Sequence, residues 1–196
     1  MSAIPETSPI IRPVAPEDVP GLNAVLDQVA REGRWLAMLK GPDVAATERF
    51  VHAQIEARMP HMVARIGADV VGWCDISPLG RESMAHMGGL GMGIVVEHRG
   101  RGIGGKLLGA TLEAADRRGI ERVELSVFPE NTAALRLYRA HGFEEEGLRR
   151  AAWRVGDTVR DLLWMGRLAP ALRALRCNRS APGPFVERDP ERRHRP

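Results

Sequence analysis

An apolar run from Met92 to Val96 meets an amphipathic stretch starting at Leu107 across a turn that reads Arg99-Gly-Arg-Gly-Ile-Gly-Gly-Lys106. So glycine-dense a turn constrains what lies on either side of it. A strand has to deliver the chain and a helix has to carry it away. Glycine permits left-handed torsions and lets the backbone approach a ligand closely. The first amides of the following helix have no intrahelical acceptor, and the helix dipole is positive at that end. Such a turn is suited to hold phosphate.

Three kinds of phosphate loop compete for this string. Gly100-x-x-x-x-Gly105-Lys106 satisfies most of a triphosphate loop, but Leu107 stands where a Ser or Thr hydroxyl should bind magnesium. Gly100-x-Gly102-x-x-Gly105 matches a dinucleotide fingerprint, with Glu121 and Glu124 about twenty residues further on. Against that reading, polar Glu97, His98 and Arg99 separate strand from turn, and too few strand–helix units follow to build a doubly wound sheet. The third reading is Arg99-x-x-Gly102-x-Gly104, an arginine-led loop over a helix, and the downstream sequence supports it.

The run from Gly93 to Gly104 resembles the coenzyme A pyrophosphate loop of the GCN5-related N-acetyltransferase (GNAT) family. Asn131-x-x-Ala134-x-x-Leu137-Tyr138-x-x-x-Gly142-Phe143 resembles that family's second signature, with one helix and one strand between the two. The resemblance covers roughly residues 10 to 168. It implies a mixed, mostly antiparallel sheet of about seven strands flanked by four helices, with a parallel strand pair splayed apart at the cofactor site. The activity implied is transfer of an acetyl group from acetyl-coenzyme A, a co-substrate, to a primary amine of a small molecule or protein.

Local patterns predict the elements. Ile10 to Val14 reads as a strand, and Pro16-Glu17-Asp18 opens a helix running to about Arg31. A second helix spans Asp43 to Arg58. Met62–Ile66 and Val70–Ile76 form a hairpin around Gly67-Ala68-Asp69, and Ser77–Met87 is a loop. The strand from Leu90 to Val96 is interrupted by glycines, which implies close approach or a bulge. Gly104–Arg118 has helical periodicity, Arg122–Phe128 alternates, Asn131 caps a helix ending at Gly142, and two strands follow around Gly156-Asp157. Residues 1–9 read as a flexible terminus, 10–168 as the domain, and 169–196 as a disordered tail rich in arginine and proline.

Composition narrows the partners. The net charge is +3, but residues 170–196 hold seven arginines against three acids, so the body is close to neutral. A neutral body argues against nucleic acid as a partner. Two isolated cysteines provide neither a disulfide framework nor a metal site, and they fit a reducing compartment. No apolar run reaches the roughly 18 residues of a membrane span, and no signal-peptide pattern opens the chain. The expected location is cytoplasmic, without membrane or metal, and a homodimer is left open.

By resemblance, Met92, Gly93 and Ile94 present main-chain groups to the pantetheine arm. The pyrophosphate falls to Arg99, Gly100, Arg101, Gly102, Ile103, Gly104 and Gly105. Asn131 contacts the arm, and Tyr138 is the acid that protonates the sulfur. Asn131 and Tyr138 are seven apart, which puts both on nearly the same helical face. The family's base, a glutamate, is replaced here by Ser126, or by glycine on the strand before the loop. Glu124, on the same strand face as Ser126, is the candidate base acting through water, and His86 is a second. Deprotonating a lysine-like amine at neutral pH costs about 4.6 kcal/mol, and an α-amine only about 1 kcal/mol. A weak base therefore suits an α-amine. A chain without a base also fits a different class, a coenzyme A-binding sensor or interaction module that does not turn over.

Overall fold

Three strands at the centre of the molecule have little solvent on either face, because helices cover both. The structure is a computed structural model and describes residues 8–177. The strands are β1 (Ile10–Pro13), β2 (His61–Ile66), β3 (Asp69–Pro78), β4 (Met87–Ile94), β5 (Arg122–Val127), β6 (Glu144–Val155) and β7 (Thr158–Leu168). They form one seven-stranded sheet in the order β1-β2-β3-β4-β5-β7-β6. Every pairing is antiparallel except β4 with β5. The helices are α1 (Val19–Arg31), α2 (Val44–Glu56), α3 (Ile103–Arg118), α4 (Thr132–Ala140) and a short α5 (Pro170–Cys177).

Cross-strand partners share a face of the sheet, so the register sorts the central side chains. His61, Asp75 and Gly91 form one row, and Met62, Cys74 and Met92 form the next, facing the other way. α1 covers the first face, where a Cβ on Gly93 would lie 3.3 Å from Val29. α3 covers the second, with Leu107, Leu108 and Leu112 buried and the Thr111 hydroxyl donating to the Cys74 carbonyl at 3.3 Å.

The glycines of β4 produce no bulge, since its register with β3 runs unbroken from Gly72↔Ile94 to Pro78↔Gly88. They permit close approach instead. A Cβ on Gly93 would sit 2.4 Å from the Trp73 ring, and one on Gly88 would sit 2.3 Å from Ile76 Cγ2. The bulky residues of β3 fill the space that β4 leaves open.

Two further expectations change. The first helix begins as a 3-10 turn over Pro16–Asp18, and Asp18 is buried there, accepting both terminal nitrogens of Arg12 at 2.7 and 2.8 Å. The expected tail starts as a helix: Pro170 fills the first helical position, the Arg173 amide bonds the Ala169 carbonyl at 3.0 Å, and the Arg173 guanidinium pairs with Glu144. Residues 1–7 and 178–196 lie outside the described residues.

Candidate active site

β4 and β5 are in register only at Met87↔Arg122, Gly88↔Val123 and Gly89↔Glu124. Beyond that point β5 continues alongside β7, β4 continues alongside β3, and a gap opens between them. The antiparallel ladder determines which groups face this gap. The Val95 amide donates to the Val71 carbonyl, so the odd residues of β4 spend their main-chain groups on β3. The main-chain groups of Met92 and Ile94 therefore point toward the gap, whereas those of Gly93 are occupied by its pairing with Trp73. Of the three residues carried over by resemblance, two turn backbone toward the gap, Met92 with both groups and Ile94 with its amide, since Arg99 takes the Ile94 carbonyl.

The gap ends at the glycine turn. Gly100 and Gly102 have φ of +76° and +77°, and Gly102 forms the N-terminal cap of α3. Two left-handed residues flanking Arg101 curl the chain so that successive amides precede the helix, a concave anion site. Lys106 is the first amide of α3 to bond back, onto the Gly102 carbonyl at 3.3 Å. Ile103, Gly104 and Gly105 occupy the first turn, whose amides lack intrahelical acceptors. Gly104 also permits packing, since a Cβ there would meet Leu137 at 3.3 Å.

Arg99 is occupied elsewhere. Its two terminal nitrogens bond Glu32 at 2.9 and 2.5 Å, and its Nε donates to the Ile94 carbonyl at 2.7 Å. It braces the turn against the end of α1, a structural use of the residue expected at the pyrophosphate.

Asn131 caps α4, its Oδ1 accepting from the Ala134 amide at 3.2 Å. That bond uses only the oxygen, and the side-chain NH₂ supplies two donors. Tyr138, about two turns further along nearly the same helical face, is buried and packs on Phe143 with ring centroids 5.7 Å apart. Burial, with a smaller contribution from nearby Cys74, lifts its hydroxyl above the ordinary phenol range. The same desolvation lifts the Cys74 thiol. Tyr138 thus stays protonated throughout the neutral range.

Glu124 sits where the strands part, buried, and accepts from Arg122 at 3.4 Å. Arg122 also bonds Glu146 at 2.7 Å, which places Glu124 in an ion-paired cluster. Ser126 is exposed, and His86 is an exposed loop side chain whose carbonyl accepts the amides of Glu121 and Arg122.

On the α1–α2 face lies a cavity of about 380 Å³ whose lining includes Leu36, Met38, Phe50, His61, Trp73, Asp75, Gly91 and Met92. From the segment between α1 and α2, Leu36 and Met38 border this space, while Trp35 packs on Phe128 at 6.2 Å between ring centroids. Asp75 is the residue that sequence reading passed over. Desolvation holds its carboxyl up at about 6, partly offset by hydrogen bonds from Ser77 and Trp73. A signal existed: a single carboxylate inside the apolar run from Val70 to Ile76. His61, directly across from it on β2, is pushed down to about 4 by burial and is neutral at pH 7.

Residues 30–143 match the acetyltransferase (GNAT) family. The chain belongs to that family. Among GNAT relatives, N-alpha-acetyltransferase RimI of Mycobacterium tuberculosis is 42% identical over 103 residues, spanning 51% of this chain and 63% of that protein. L-amino acid N-acetyltransferase AaaT of Escherichia coli is 33% identical over 109 residues, 55% of this chain and 67% of that one. A GNAT superfamily phosphinothricin acetyltransferase from Sinorhizobium meliloti, solved in complex with AcCoA, superposes with a TM-score of 0.77 at 20% identity, over 93% of this chain and 97% of that one. At that identity the likeness speaks for the GNAT fold alone. Among the described residues of this GNAT chain, no cluster of three or more His, Cys, Asp or Glu could hold a metal, and no helix is long and apolar enough to cross a membrane.

Proposed function

We propose that the chain is an acetyl-coenzyme A dependent N-acetyltransferase acting on an α-amino group. One observation carries the reading: the main-chain edge of Met92 and Ile94 faces the β4–β5 gap and leads to the left-handed Gly100–Gly102 turn at the start of α3. An extended arm ending in a diphosphate matches that edge and that turn in order. The amides of Gly100 to Gly105 hold the diphosphate, because the helix end and the curled backbone supply positive potential.

The acyl donor supplies an activated thioester carbonyl. Tyr138 holds a proton for the departing sulfur, and its burial keeps that proton in place at neutral pH. Asn131 orients the arm through its side-chain NH₂. The names of the two relatives both refer to α-amines, N-alpha in one and L-amino acid in the other. That class is also the cheaper one to deprotonate.

Calorimetry with coenzyme A and a thiol-release assay with acetyl-coenzyme A test the reading. Saturable binding together with amine-dependent thiol release is expected. Absence of both would overturn it. Binding without release for any amine would favour the sensor or interaction module.

A further inference from the structure

The row His61–Asp75–Gly91 crosses the floor of the α1–α2 cavity. Gly91 has no side chain, and a Cβ there would lie 3.1 Å from Asp75 Oδ1, so the carboxylate occupies the space a β4 side chain would fill. The register therefore moves a carboxylate from β4 to β3 while keeping it over β4. β4, whose far edge borders the β4–β5 gap, lies one strand spacing from Asp75's strand, about 4.8 Å. Tyr138 lies on α4, whose Leu137 packs against α3, and α3 covers the opposite face. Acid and carboxylate thus flank the gap from the two sides of the sheet.

The carboxylate is held in place. The Ser77 hydroxyl donates to Asp75 Oδ2 at 3.2 Å and accepts from Gln54 Nε2 at 2.8 Å. Its surroundings carry no opposing charge: α2 presents Thr47 and Gln54, α1 presents Leu22 and Leu26, β4 presents Gly91 and the main chain of Met92, and β2 presents His61. Among the described residues no arginine or lysine pairs with Asp75. Both ring nitrogens of His61, itself only 2% exposed, lack a hydrogen-bond partner within the protein. A buried carboxylate without a cation beside an unpartnered imidazole is costly to keep in an apolar wall.

We propose that Asp75 receives the ammonium of the acceptor and takes its proton, and that the cavity over it selects α-amines bearing an apolar side chain. The proposal rests on the acetyl-transfer reading above and adds the proton acceptor and the substrate class. One ammonium proton passes to Asp75 and later to solvent. The neutral nitrogen then forms its bond to the acyl carbon as the carbon–sulfur bond breaks. Tyr138 gives its proton to the sulfur and recovers one from the nitrogen, leaving an N–H amide and a free thiol. The carboxyl, near 6, lies about two pH units below an α-ammonium near 7.8, a gap small enough for a transient transfer. The neutral imidazole of His61 offers one donor and one acceptor to the polar group beside the α-carbon. A volume of about 380 Å³ falls in the range of small-ligand pockets.

The test uses the full chain, the isosteric Asp75→Asn and the cavity-filling Ala46→Trp. Coenzyme A titrated by calorimetry should bind wild type and Asp75→Asn within threefold of each other. Loss of binding in the wild type would defeat the parent reading and not this one in particular. With leucinamide as acceptor, Asp75→Asn should lower kcat/KM at least 100-fold and abolish the decline of activity below pH about 6. Wild type should favour leucinamide over glycinamide at least tenfold, and Ala46→Trp should bring that ratio near one. Without acyl donor, leucinamide should raise the melting temperature of wild type but not of Asp75→Asn. Free leucine and a leucine-initiated tripeptide separate the two sources of such an amine, and turnover of either supports the proposal. Full activity and an unchanged pH profile in Asp75→Asn would overturn it, as would equal use of glycinamide and leucinamide by wild type.

Discussion

The glycine turn and the α1–α2 cavity differ in how they are made. The turn is local: eight consecutive residues, from Arg99 to Lys106, present backbone, and their side chains are secondary. The cavity draws on α1, α2, β2, β3 and β4, and its chemistry lies in two side chains brought together by strand register. A site built from main chain tolerates most side-chain changes and fails when the backbone conformation is lost. A site built from side chains depends on the charge state of a few buried groups.

The largest effect that would sharpen this contrast belongs to Tyr138. Replacement by phenylalanine should lower acetyl transfer by roughly 10²–10⁴, the usual worth of a general acid, while coenzyme A affinity measured by calorimetry stays within a few-fold. A variant that lost binding as well would show that the tyrosine supports the main-chain site and is not an acid.

Next come the buried titrations. The Asp75 carboxyl is raised to about 6 in the folded state, so the charged form penalises folding and the penalty is complete above pH 6. Asp75→Asn should therefore be more stable than wild type by up to about 3 kcal/mol at pH 7, with the difference vanishing below about pH 4, as read by urea unfolding. His61 acts in the opposite sense. Its pKa is lowered to about 4, so the stability it leaves intact above about pH 6.5 is lost as pH falls toward 4. His61→Gln should flatten that acidic decline.

Smaller effects are expected at the turn. Gly102→Ala places a Cβ at φ +77°, costing about 1–2 kcal/mol of strain in the left-handed region. Coenzyme A binding should weaken about tenfold, and turnover at saturation should hardly change. Smallest is Glu32→Gln, which removes a partly exposed pair with Arg99 and should cost about 0.2–1 kcal/mol, measured by thermal unfolding and fading with added salt.

Much of the architecture was legible along the chain. Alternation in Arg122–Val127, the 3.6-residue pattern of Ile103–Arg118 and the Asn131 cap each depend on neighbours a few residues away. The β4 glycines were legible as close approach, but whether they bulged depended on Trp73 and Ile76, supplied by another strand. Arg99 read only as a charge beside the turn, because its pairing with Glu32, sixty-seven positions earlier, was invisible to any local pattern.

By itself the amino-acid order determined the succession of elements, the anion-ready turn and the shared helical face of Asn131 and Tyr138, because backbone torsion preferences and side-chain periodicity act over one or two turns of chain. Only tertiary structure decided which β4 main-chain groups face the gap, which partner Arg99 takes, and that Asp75 lies over Gly91 beside His61. Those outcomes follow from the register of strands distant in sequence. A shift of one residue would turn every one of these side chains to the opposite face.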